Sequence, residues 1–150
     1  RVAGWKSRNP RSEYGWWPAI AAKLSSVGGR PALVWHEAGA LTFFDLRTGE
    51  ELRSLEVPHN WDVSPFLVDA GGRYLAAVVK APGQFSGPNP ERLVVWDLST
   101  GVIVMDRDAT YVPKGWIYSR GQSVGQLLFT RDGRRLIAAG RQSVQVFHLP

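Results

Sequence analysis

Gly121-Gln122-Ser123-Val124-Gly125 has the spacing of a nucleophile elbow, G-x-S-x-G. That motif works when a strand leads into the serine and a helix leaves it, so that a sharp turn lifts the hydroxyl clear of the backbone. The following residues, Gln126-Leu127-Leu128-Phe129, read as a strand. Ser123 therefore reads as a polar loop residue entering a strand, and no catalytic residue is assigned. His36, His59 and His148 show no metal-ligand spacing. The chain has no cysteine, which excludes thiolate sites and disulfides. Asp106-Arg107-Asp108 fails as a calcium loop, because Arg107 and Ala109 leave too few oxygens and the glycine is missing. No glycine-rich phosphate loop is visible. The reading is of a non-enzymatic chain with no metal and no cofactor.

Other polar residues fit structural roles. Asp45 and Asp97 each end an apolar run just before Leu-x-Thr-Gly, where a carboxylate accepts hydrogen bonds from the turn backbone. His59 reads as a structural hydrogen-bonding residue, and Trp96 as a structural residue at a strand end. The aromatic residues are more informative. Nine of them (Trp5, Tyr14, Trp16, Trp17, Trp61, Phe85, Tyr111, Trp116 and Tyr118) fall in the segments that join apolar runs, against totals of 7 Trp, 4 Tyr and 6 Phe. Such residues suit a contact surface. Trp16, Trp17, Trp61, Phe85, Tyr111, Trp116, Tyr118 and Arg120 are the candidate partner-binding residues, with packing beside the strands as the competing role for any single Trp.

The elements that must position these residues emerge from an internal repeat. Phe43-Phe44-Asp45-Leu46-Arg47-Thr48-Gly49 returns as Val95-Trp96-Asp97-Leu98-Ser99-Thr100-Gly101, and a shorter copy closes the chain as Val146-Phe147-His148-Leu149. Val27-Gly28-Gly29-Arg30, Ala70-Gly71-Gly72-Arg73 and Arg131-Asp132-Gly133-Arg134 each precede another apolar run. Every unit then reads strand, Gly turn, strand, loop, strand, Thr-Gly turn, strand. No helical apolar period is present, and prolines at 10, 18, 31, 58, 65, 82, 88, 90 and 113 oppose helices. Tandem four-stranded antiparallel units are the mark of propeller blades. The predicted fold is all-β: a β-propeller segment of about three four-stranded antiparallel blades, the last incomplete. Blade one covers 19–55, blade two 63–105 and blade three 124–149, while 1–18 is a segment from a preceding blade. Continuous apolar runs such as Leu93-Val94-Val95-Trp96 predict strands buried on both faces.

Val94-Val95-Trp96-Asp97-Leu98-Ser99-Thr100-Gly101 resembles the third-strand and turn motif of the WD-repeat family. His59-Asn60-Trp61-Asp62-Val63 is similar to that family's Gly-His segment, with Pro58 in place of Gly, and Arg131-Asp132-Gly133-Arg134-Arg135-Leu136 to its turn between the first two strands. The resemblance covers about 19–149. That family often has Asp six residues before its Trp, where this chain has Pro90 and Arg141, and Phe44 and Phe147 replace Trp in two units. A quinoprotein-like propeller, which shares the Asp-x-x-Thr-Gly turn, is the alternative.

In such units the short Gly turns fall at one end of the strands, and the connections from second to third strand and from sheet to sheet at the other. The long segments 1–18, 56–62, 80–92 and 106–123 should thus share one face. Long connections rich in Trp and Tyr read as binding loops. The expected function is a non-catalytic scaffold for a protein or peptide partner, held on that face. The alternative is a propeller accessory to an enzyme, hydrolase-gating or quinoprotein-like, with its chemistry mostly outside this segment. Nucleic acid is disfavoured: of a net charge of +5, Arg1, Lys6, Arg8 and Arg11 against Glu13 place +3 in the first 18 residues, and the rest is scattered. No apolar run approaches the ~18 residues of a membrane span, so a soluble protein is expected, compartment unassigned with the cytoplasm favoured. Closed propellers have ~4–8 blades, and an open set exposes faces and edges. The chain is therefore expected to belong to a longer one, or else to close a ring by oligomerisation.

Overall fold

The computed structural model describes residues 21–37, 39–58, 62–80, 91–109, 124–140 and 144–150. These hold eleven strands and no α-helix. The first sheet contains β1 (Ala21–Val27), β2 (Arg30–Glu37), β3 (Ala40–Asp45) and β4 (Glu51–Glu56). The second contains β5 (Asp62–Val68), β6 (Tyr74–Lys80), β7 (Glu91–Asp97) and β8 (Val102–Asp108). The third contains β9 (Gln126–Phe129), β10 (Arg135–Ala139) and β11 (Val144–His148). Each strand pairs antiparallel with its neighbour in sequence, so every sheet is a simple meander. The architecture is that of an incomplete propeller, four, four and three strands, as the repeat predicted.

Burial follows the sheet's place in the stack. On β2 it alternates, with Ala32, Val34 and His36 buried and Leu33, Trp35 and Glu37 only partly so. One face of that strand meets another sheet and the other does not. On β6 six successive residues, Tyr74 to Val79, are buried, and β7 is nearly the same. The alternation survives there as a division between two cores. Leu75, Ala77, Val79, Val94 and Trp96 join Val34, Leu41, Phe43 and Leu55 of the first sheet. Tyr74, Ala76, Val78, Leu93 and Val95 join Leu127, Leu136 and Ala138 of the third. Each fully buried Val or Leu contributes about 1.5–3 kcal/mol, so the second sheet anchors both neighbours.

The outermost strands β4, β8 and β11 are mostly exposed or half-buried. β8 is largely exposed and carries Asp106 and Asp108. It remains in register with β7 as far as Arg92 opposite Asp108, and Arg92 Nε donates to Asp106 Oδ1 at 2.6 Å. The connection expected to start at Asp106 thus starts after Asp108, because this ion pair and the strand pairing continue back to the start of β7.

Two turns show why glycine is needed. Gly28 (φ 56°) and Gly29 (φ 75°) form the two-residue loop between β1 and β2, where both central residues must be left-handed. Gly72 (φ 70°) lies in the β5–β6 turn against the first sheet, and a Cβ there would stand 2.7 Å from the Ser26 carbonyl oxygen. Lys23 Nζ donating to the Phe66 carbonyl at 3.1 Å and Arg53 Nη2 donating to the Ser99 carbonyl at 3.4 Å also tie the first sheet to the second. Tyr74 donates its hydroxyl to the Pro150 carbonyl at 2.6 Å, tying the second to the third.

Candidate interaction face

The strand ends separate into two poles. At one pole are the tight turns. Asp45 accepts from the Arg47 and Thr48 amides at 2.7 and 3.3 Å, while Gly49 N–H closes on the Asp45 carbonyl at 2.8 Å. Asp97 repeats the arrangement, accepting from the Ser99 amide at 2.8 Å and the Ser99 hydroxyl, with Gly101 N–H on its carbonyl at 2.7 Å. The two bonds from Ser99, helped by Arg73, hold the Asp97 carboxyl below its ordinary value of 3.8.

Sequence reasoning did not single out Asp69 or Asp132, which organise the turns between first and second strands. Asp69 accepts from the Gly71 and Tyr74 amides at 3.1 and 2.6 Å. Asp132 accepts from the Thr130 hydroxyl at 2.6 Å and the Arg134 amide at 3.0 Å, which together lower its pKa. The signal was present as Asp two residues before Gly71 and directly before Gly133. Asp69, Arg73, Asp132, Arg134 and His148 line a small cleft at this pole between the second and third sheets. These carboxylates are engaged by turn amides.

Among the described residues, the opposite pole holds the strand ends of the sheet-to-sheet and second-to-third-strand connections, the tight turn at Gly39 included. Val57 N–H donates to the Gly39 carbonyl, Ala109 N–H to Glu91 and Gly125 N–H to Ala139, at 2.8 to 2.9 Å. Lys80 lies opposite Glu91 and Asp62, and its Nζ is 3.5 Å from Glu91 Oε1. The segments 59–61, 81–90, 110–123 and 141–143 therefore all leave and rejoin strands at this pole. Of the candidate residues, Trp16, Trp17, His59, Trp61, Phe85, Tyr111, Trp116, Tyr118 and Arg120 lie outside the described residues. Trp96 is buried in the junction of the first two sheets, and Asp45 and Asp97 lie at the tight-turn pole. After Ser123 the chain enters β9 and not a helix. Among the described residues no group of three His, Asp or Glu is arranged to hold a metal, and no helix is long and apolar enough to cross a membrane.

No protein-family model matches this chain, and no curated protein matches it. Among solved structures it is similar to the tricorn protease, over 85% of this chain, with a TM-score of 0.54 and 16% identity. It is also similar to a eukaryotic initiation factor, over 87% of this chain, with a TM-score of 0.52 and 17% identity. The chain spans only 12% and 30% of the lengths of those two. At such identity the likeness is one of fold, and together with the three antiparallel sheets it fits a β-propeller.

Proposed function

We propose that this chain is a non-catalytic interaction module that holds a protein or peptide on the pole of the long connections. One observation carries the reading: the ends at Val57, Lys80, Glu91, Ala109, Val124 and Ala139 emerge together, while the tight glycine turns other than the one at Gly39 occupy the other pole. The scaffold beneath is well packed, with a second sheet buried on both faces. Loops on such a scaffold vary in sequence without costing the core. The aromatic residues of 110–123 supply large contact area for little entropy.

The test compares wild type with Trp116→Ala and Tyr118→Ala in affinity capture of a protein partner, alongside melting curves. Arg134→Ala, at the tight-turn pole, serves as control. Loss of the captured partner in the first two variants, with unchanged melting, is the expected result. Loss only on unfolding, or equal loss in the Arg134 variant, removes the assignment.

A further inference from the structure

The outer margins of the first two sheets stand apart. Between β4 and the start of β8 runs a groove of about 880 Å³. Among the described residues it is lined by Arg53, Leu55 and Val57 on one side and Val102 and Ile103 on the other, with the buried Trp96 behind them. Arg53 and Leu55 stand opposite Phe43 and Leu41, which lie in the first junction, and Ile103 stands opposite Trp96. Cross-strand partners share a face, so these three side chains point toward the groove. Both walls belong to sheets that already pack on each other. A further sheet would stack on an outer face and would not fill this space.

One wall is also an open edge. Among the described residues β8 pairs with β7 alone, so amides and carbonyls along its other side face outward. Charged side chains commonly guard such an edge against pairing with another chain. The second half of β8 has them, as Asp106, Arg107 and Asp108. The first half, beside the groove, has Val102 and Ile103, 58% and 39% exposed. The unguarded stretch of edge and the groove coincide.

Charge separates the ends of the groove. Arg53 reaches across one end, where its Nη2 donates to the Ser99 carbonyl at 3.4 Å. That bond uses one of the five N–H donors a guanidinium carries. Glu56, at the other end, falls on the alternate face of β4 with its partner Ala40. The charge that faces the groove is therefore positive.

We propose that this groove takes a short extended segment of a partner protein, which adds a strand to the free edge of β8, sets an apolar side chain against Leu55, Trp96 and Ile103, and places a carboxylate beside Arg53. Main-chain pairing supplies affinity and the side-chain pocket supplies specificity. Arg53 to Val57 spans about 13 Å at ~3.3 Å per residue, the reach of about five peptide residues. The site runs along the strand margins and is separate from the pole of the long connections.

Selection of a phage-displayed random heptapeptide library on the whole chain, followed by fluorescence polarisation of the enriched peptides, tests this. Enriched sequences should combine an apolar residue with a neighbouring Asp or Glu. Arg53→Gln should weaken their binding by about 10-fold, and so should changing the peptide's acid to its amide. The two losses should not add, because they remove one ion pair. Ile103→Asp should weaken binding by about 10-fold or more, and Ile103→Thr, which keeps the β-branched shape, by a smaller factor. Arg107→Gln, on the guarded half of the strand, should leave binding unchanged. Far-UV circular dichroism and melting should show all four variants folded. Failure to enrich any peptide, the result of a groove covered by the chain's own segments, would overturn the proposal. So would enriched peptides that ignore Arg53 and Ile103, or sedimentation showing a wild-type dimer that Ile103→Asp dissociates, which would assign the edge to a second copy.

Discussion

Truncating Trp96 measures the first junction from within. Its side chain is 1% exposed, in a cluster that draws Val34, Phe43 and Leu55 from one sheet and Leu75 and Val94 from its own. Removing a large aromatic from such a site costs about 3–5 kcal/mol, through lost transfer energy and the cavity left behind. Phe44 occupies the equivalent place in the first sheet but is only half-buried on the outward face. Less contact is lost there, so Phe44→Ala should cost about 1–2 kcal/mol. Trp96→Phe should also cost about 1–2 kcal/mol, since Phe44 and Phe147 hold the equivalent places opposite Leu33 and Leu136 in the other two sheets but the indole's extra volume is left empty. Urea unfolding followed by circular dichroism at low protein concentration gives all three values, with constant m as the sign that the unfolded state is unchanged. A cost below about 1 kcal/mol for Trp96→Ala, or an equal cost for Phe44→Ala, would refute the assignment of Trp96 to a sheet junction and of Phe44 to an outer face.

Gly72→Ala should lower stability by about 2 kcal/mol or more, because it adds left-handed strain to the close approach on Ser26; thermal melting decides, and an unchanged Tm refutes it. Asp97 is held charged in the native state below its ordinary value of 3.8, first by the Ser99 hydroxyl and then by the Ser99 amide. Its contribution is complete above that ordinary value and is lost as pH falls through the lower folded one. Ser99→Ala should therefore raise the Asp97 pKa toward 3.8 and flatten the acid limb of a stability–pH curve, read by carboxyl NMR titration; an unmoved titration would show the hydroxyl to be irrelevant.

Much of the fold was legible because turns and strands carry separate signals. Asp45 and Asp97 fall at matching places in two units, and their carboxylates bind the turn amides that this spacing offers. The unbroken apolar run from Tyr74 to Val79 marked a strand buried on both faces, and it is one. β1 was harder to read, since Lys23, Ser25 and Ser26 break its apolar pattern in a strand with only β2 beside it. The equivalence of Trp96, Phe44 and Phe147 was legible, but their cross-strand partners Leu75, Leu33 and Leu136 were not. They depend on register, and irregularities at Phe43/Phe44, Val63/Phe66 and Val95/Trp96 shift it in ways that a string of residue types does not encode. The candidate face was legible only as a pole: antiparallel order assigns loops to an end of the strands, whereas the placing of each aromatic within a loop depends on tertiary contacts.

The second sheet's double burial has a consequence for how the molecule opens. Amides of β6 and β7 are paired along both edges and shut off from solvent on both sides. Their protons can reach deuterated solvent only when a neighbouring sheet lifts away, so their exchange rates report the free energy of parting whole sheets. Amides of β4, β8 and β11, at the sheet margins, report only fraying. Mass-resolved exchange across these strands would therefore rank the two junctions by strength without any substitution.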